Sequence, residues 1–201
     1  MEHNPYAVTE TVLSSEAPAP DETAWPYYVV SPAKCVSLWI ATFGFYGLYW
    51  FHRNWDLERV RTGEKIRPSA RAIFSIFFTH SLFSRVDARL RALGREHSWS
   101  PNGTASLVVG LSVVGAVYER LSGDEWETAF DFAISFGFTA AAAIALIPAQ
   151  RAVNAASGDP DGASNSRLTP ANWLWLLGGG LVWLLALVGI VATELGLYLG
   201  E

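Results

Sequence analysis

Between Trp173 and Thr193 the chain carries no Asp, Glu, Lys, Arg or His. A helix rises about 1.5 Å per residue, so roughly 20 apolar residues cross a hydrocarbon core of about 30 Å. A helix that is hydrophobic on every side must be buried all round or sit in lipid, which leaves few folds open to this chain. The start of the segment is well marked. Thr169 suits an N-cap, Pro170 the first helical position, and Trp173 and Trp175 a membrane interface. Composition agrees, since 51% of residues are hydrophobic and only 16% are charged, against about 25% charged in a typical soluble domain.

Further apolar segments share the pattern. Phe130 to Pro148 follows Ser122-Gly-Asp-Glu125, a sequence resembling a capping box, and is expected to run on through Gln150-Arg-Ala-Val-Asn154 into water. Ala105 to Tyr118 is shorter but uniformly apolar. Cys35 to Phe51 has Lys34 to snorkel at one end and His52-Arg53 at the other, with Tyr46, Tyr49, Trp50 and Trp55 crowding its exit. Ala72 to Phe83 is bracketed by Arg71 and Arg85, and its dozen or so apolar residues suit an interfacial or re-entrant helix better than a span. That helix is expected to continue through Arg95.

The expected fold class is therefore all-α, a helical integral membrane bundle of four spans plus one interfacial or re-entrant helix. Basic residues set the orientation. Eleven of the fourteen Lys and Arg lie between Lys34 and Arg95, clustered in 53–71 and 85–95. The positive-inside rule places both clusters on the cytoplasmic side, with Arg151 and Arg167. A four-span path then puts the N-terminus outside. Residues 1–26 lack the basic start and apolar stretch of a signal peptide. They are acidic and rich in Pro, Ser and Ala, and are expected to form a disordered tail ahead of a single membrane domain spanning 27–201.

The string Thr42-Phe-Gly44-Phe-Tyr46-Gly-Leu-Tyr49-Trp50-Phe51, with Ser31-Pro32 upstream, resembles the opening of bacterial membrane proteins in the domain-of-unknown-function family 4234. The match covers roughly Tyr28 to Phe51, and the rest of the chain departs from that family's short, few-span pattern. The resemblance implies a place, the bacterial inner membrane, and no reaction, ligand or catalytic residue. Read on its own, the string offers Gly44 and Gly47 for close packing or a bend, and aromatic residues with polar edges at an interface.

Ionisable groups inside a membrane are costly, so they are the first candidates for function. Asp131 lies early in Phe130–Pro148, either a headgroup-level carboxylate or a proton or cation site. His80 sits in the second segment between Thr79 and Ser81, either a hydrogen-bonded structural histidine or a titrating gate. Ala133, Gly137, Ala141 and Ala145 recur every four residues, a small-residue stripe on which another helix can pack closely. Arg85, Arg89, Arg91 and Arg95 flank Val86, Leu90 and Leu93, which suggests a basic amphipathic helix on an anionic leaflet. Gly178-Gly179-Gly180 suits tight packing or a local unwinding, and the polar loop Gln150 to Asn172 suits turns and helix caps.

No cofactor or metal is expected. Cys35 is the only cysteine and reads as a small apolar residue. No GxSxG, HExxH or Walker loop is present, which lowers the expectation of an enzyme. The net charge of −5 disfavours nucleic acid. The expected partners are the lipid bilayer and a second copy or another membrane protein, with a small transporter or ion pathway as the alternative.

Overall fold

The computed structural model describes residues 27–95, 97–122 and 129–196, and these are all-helical apart from loops and turns. The acidic tail expected at 1–26 and most of the capping turn expected after Ser122 lie outside the described residues. The α-helices are α1 (Pro32–Ala41), α2 (Phe45–Thr62), α3 (Pro68–Ile73), α4 (Ser75–Ala92), α5 (Pro101–Leu121), α6 (Ala129–Ala145), α7 (Ile147–Ala156) and α8 (Pro170–Glu194). A 3₁₀ turn covers Ala163–Asn165.

Three helices open in the same way. Ser31-Pro32, Ser100-Pro101 and Thr169-Pro170 put a hydroxyl at the N-cap and a proline where no N–H is needed. The Ser31 oxygen accepts from Lys34 N, and the Ser100 oxygen from Gly103 N at 3.2 Å. Thr169 and Asn172 complete a reciprocal capping box, so the start of α8 falls where the sequence places it.

Three helices are long and apolar enough to cross a membrane: Pro101–Leu121, Pro170–Thr193, and the composite α6–α7 over Ala129–Ala156. α6 and α7 join at Leu146, where Pro148 removes one amide from the first turn of α7. The fourth expected span is built differently. Cys35–Phe51 is not one helix, because Phe43 (φ 53°) and Gly44 (φ 84°) both adopt left-handed backbone and end α1.

The chain then turns back on itself. A continuous helix would hold residues 28 and 54 well over 30 Å apart at about 1.5 Å per residue. Instead Tyr28 N donates to Asn54 Oδ1 at 3.0 Å, and the Tyr46 and Tyr28 hydroxyls lie 3.3 Å apart. The turn is held locally. Thr42 Oγ1 donates to Leu38 O and accepts from Tyr46 N, both at 2.8 Å. Trp39 closes the inside of the turn over Gly47, where a Cβ would sit 2.7 Å from its ring. A left-handed non-glycine residue costs roughly 1–2 kcal/mol, and Phe43 offsets this by stacking on Trp183 at 4.0 Å between ring centres.

α8 braces α1 along its length. Ser31 N donates to Asn165 O at one end, and Trp183 Nε1 donates to Ile40 O at 2.9 Å at the other, so the two helices run the same way. Between these ties Gly179 lies against the end of α1, where a Cβ would fall 1.8 Å from Ala41 O. Gly178 and Gly180 have no such neighbour. The triple glycine is thus a packing notch in an unbroken helix, not an unwound segment.

The expected interfacial helix is bent at Phe74 into α3 and α4 and ends at Ala92 rather than Arg95. Its apolar face is turned inward, with Leu82, Phe83 and Val86 wholly buried and Leu90 nearly so. The core joins these to Trp50, Phe51 and Trp55 of α2, Ala105 of α5, and Ala149 and Val153 of α7.

Candidate functional site

One end of the bundle gathers the start of α1, the ends of α4 and α7, and the starts of α5 and α8. Its organising element is the extended segment Tyr27–Ser31, whose backbone is satisfied by side-chain amides. Asn154 Oδ1 accepts from Val30 N at 3.3 Å while its Nδ2 donates to Val30 O at 2.9 Å. Gln150 Nε2 donates to Tyr28 O at 3.2 Å, and its Oε1 accepts from Trp50 Nε1. Asn54 holds Tyr28 N, and Asn165 Nδ2 donates to Val29 O at 2.8 Å. Gln150 and Asn154, expected to emerge into water, are completely enclosed. A buried amide without a partner is costly, so each carboxamide fills the place of a neighbouring strand.

Beside this segment lies an ion network. Glu58 is fully buried and takes bonds from Arg61 at 2.8 Å and Arg85 at 3.0 Å, and Arg85 also binds Glu64 at 2.9 Å. The bonds from Arg85 hold the Glu64 carboxyl below its ordinary range. Arg71 lies 4.1 Å over the Trp55 ring, a cation–π contact closing the other side. Tyr27 is buried against this network, and burial, with the Glu58 carboxylate second, pushes its hydroxyl pKa well up.

On the opposite side of Tyr28 a cleft of about 520 Å³ opens between α1, the start of α2, the loop at Asn165 and the first turns of α8. This volume is within the usual range for small-molecule sites. Lys34, only 5% exposed, reaches into it and donates to Asn165 Oδ1 at 2.7 Å and Arg167 O at 2.8 Å. Tyr28, Tyr46 and Tyr49 form one wall, with Tyr28 and Tyr49 edge to face at 5.4 Å. Leu38, Phe45 and Trp175 line the remainder, the last two strongly exposed.

The residues singled out in the sequence are scattered. Asp131 accepts a 2.6 Å bond from Tyr118 across α5 and α6. His80 Nε2 pairs with Ser106 Oγ at 3.1 Å. Ser106 and Tyr118 are twelve residues apart on α5, about 18 Å, so Asp131 and His80 belong to different ends of the bundle. Of the four arginines, Arg85 is in the ion network, Arg91 pairs with Asp87, and Arg95 donates to Ala155 O and Ala156 O at the end of α7. Arg89 is half-buried. Ala133 and Gly137 are exposed, Ala141 is half-buried and Ala145 buried, so the upper stripe faces outward. Asp159 caps its own turn. Burial raises its carboxyl, but the amides of Ser164 and Ala163 outweigh that and hold it below its ordinary range. Cys35 is buried.

Sequence reasoning missed Lys34, Gln150 and Asn154 as a cluster. Lys34 passed as a snorkelling residue and the two amides as an exit into water, because their partners lie more than a hundred residues away along the chain. No protein-family model, no curated protein and no solved structure matches this chain.

Proposed function

We propose that the chain is a multi-pass integral membrane protein acting through contacts with lipid and with other membrane proteins. Its spans are α5, the composite α6–α7, and α8, and the α1–α2 hairpin is re-entrant. The observation that carries this reading is the surface of α8. Leu174, Trp175, Leu177, Leu181, Leu185 and Val188 are each more than half exposed, and they line the broad side of the helix turned away from α1. At about 25 cal/mol per Å² of apolar surface, such a rod is far too costly to leave in water.

The hairpin enters only part of the bilayer. Ala41 meets Gly179, nine residues beyond Pro170, a depth of about 13 Å in a core of about 30 Å. Both arms begin and end at the same side. With three spans and this hairpin, every Lys and Arg except Arg120 lies at that side, which makes it cytoplasmic by the positive-inside rule. Tyr27, where the described residues begin, then lies on the cytoplasmic side, whereas four spans would put it outside. A bacterial inner membrane is the setting implied by the resemblance of Thr42–Phe51.

Extraction of membranes with alkaline carbonate tests the reading. The protein should stay in the pellet and be released only by detergent. Release into the alkaline supernatant would overturn it.

A further inference from the structure

The cleft beside Lys34 is graded from polar to apolar. At the end where α1 and α8 begin, it offers the Lys34 ammonium and the hydroxyls of Tyr28 and Tyr46. Toward the turn at Phe43–Gly44 it offers Leu38, Phe45 and Trp175. The exposed faces of Phe45 and Trp175 leave its side open to the surroundings of the bundle.

Lys34 is the unusual member. Among the described residues it forms no ion pair, and both of its hydrogen bonds go to neutral oxygens, Asn165 Oδ1 and Arg167 O. An ammonium has three protons to donate, so one remains. A cation withdrawn from water with no counter-charge is expensive, and an incoming anion relieves that cost. The first turn of α8, which forms the facing wall at Ala171 and Asn172, adds the positive end of a helix dipole.

We propose that this cleft binds an amphiphile with an anionic headgroup, its phosphate or carboxylate on Lys34 and its chain along Leu38, Phe45 and Trp175. The inference rests on the membrane reading, since lipid is the source that reaches a laterally open cleft at headgroup depth. It goes beyond that reading by naming the ligand chemistry and the residue that selects it.

The test uses the full chain purified in non-ionic detergent. Lipid occupancy is measured by native mass spectrometry against phosphatidylglycerol, phosphatidylcholine with the same chains, and inorganic phosphate. One phosphatidylglycerol should be retained, about tenfold more tightly than phosphatidylcholine, whose phosphate is offset by its own trimethylammonium. Lys34→Gln should remove the preference. Because Lys34 also ties down the loop at Arg167, a second variant is needed. Ala171→Trp fills the cleft from an exposed position and leaves Lys34 and its partners in place. It should abolish retention with an unchanged unfolding midpoint. Equal retention of the two lipids, retention that survives Ala171→Trp, or inorganic phosphate displacing phosphatidylglycerol at similar concentration would each overturn the proposal. A chain that resists alkaline extraction yet shows any of these results loses the ligand site and keeps the membrane reading. A chain that alkali releases loses both.

Discussion

Asn154 reads the backbone of Val30 with both halves of its carboxamide, accepting from Val30 N and donating to Val30 O. The two residues are 124 positions apart, and both are completely buried. This pair fixes the entry of the chain into the bundle. Gln150, one turn earlier on α7, donates to Asn154 Oδ1 at 2.8 Å and so orients it.

Asn154→Leu should therefore cost more than the loss of one bond. It strips partners from two buried backbone groups, each worth about 1–3 kcal/mol when left unsatisfied. The expected loss is about 2–4 kcal/mol, read as a lower unfolding midpoint in detergent. A midpoint within a degree of the parent would show that Val30 finds other partners.

The three glycines of α8 make a sharper contrast. Gly179→Ala drives a Cβ into Ala41 O and should cost about 1–3 kcal/mol, as overpacking does. Gly178→Ala and Gly180→Ala meet open space and should be neutral or gain up to about 1 kcal/mol from helix propensity. Equal effects at all three positions would contradict the notch.

Much of this architecture was legible in the residues. The absence of charge over Trp173–Thr193 and the Thr169-Pro170 cap specify α8 without reference to anything else. Phe130–Pro148 likewise reads as a long apolar helix. The reversal at Phe43–Gly44 was not legible as such, because hydropathy sums over a window and is blind to direction. Apolar residues folded back on themselves score like apolar residues in a line. Gly44 hinted at a bend, but the stacking that holds Phe43 in left-handed backbone comes from Trp183, far along the chain. The basic helix poses a related problem. An apolar stripe at Val86, Leu90 and Leu93 says that a face is covered, and only the packing says that α2 and α7 help to cover it rather than lipid.

Acid should loosen the polar end of the bundle. The bonds from Arg85 hold Glu64, and those from Arg59 hold Asp56, below their ordinary range, and the loop amides do the same for Asp159. A carboxyl whose folded pKa is depressed contributes stability that is fully present above its unfolded value, about 4. That contribution is lost as pH falls through the folded value. The unfolding midpoint should be flat from pH 7 to about 5 and then fall, and Glu64→Gln should shallow the fall. A midpoint that rises on acidification would contradict these assignments.

The outward stripe of α6 bears on partners. Among the described residues a Cβ at Gly137 meets no atom within 4 Å, so Gly137→Leu should leave the unfolding midpoint of the monomer unchanged. If a second copy packs there, the same substitution should weaken cross-linking in membranes, because a bulky side chain keeps the backbones apart. An unchanged cross-linking pattern would remove the stripe as a self-association surface.

The re-entrant hairpin is tested most directly by labelling single cysteines with a membrane-impermeant maleimide, in sealed vesicles of known orientation and a Cys35→Ala background. Ala33→Cys stands at the start of the first arm and Lys65→Cys in the loop just beyond the second, both at exposed positions, Ser100→Cys precedes α5, and Ser122→Cys follows it. Ala33→Cys, Lys65→Cys and Ser100→Cys should label from the cytoplasmic face, and Ser122→Cys only from the opposite one. Labelling of Ala33→Cys and Lys65→Cys from opposite faces would mean that residues 35–51 cross the membrane, and the hairpin would be wrong.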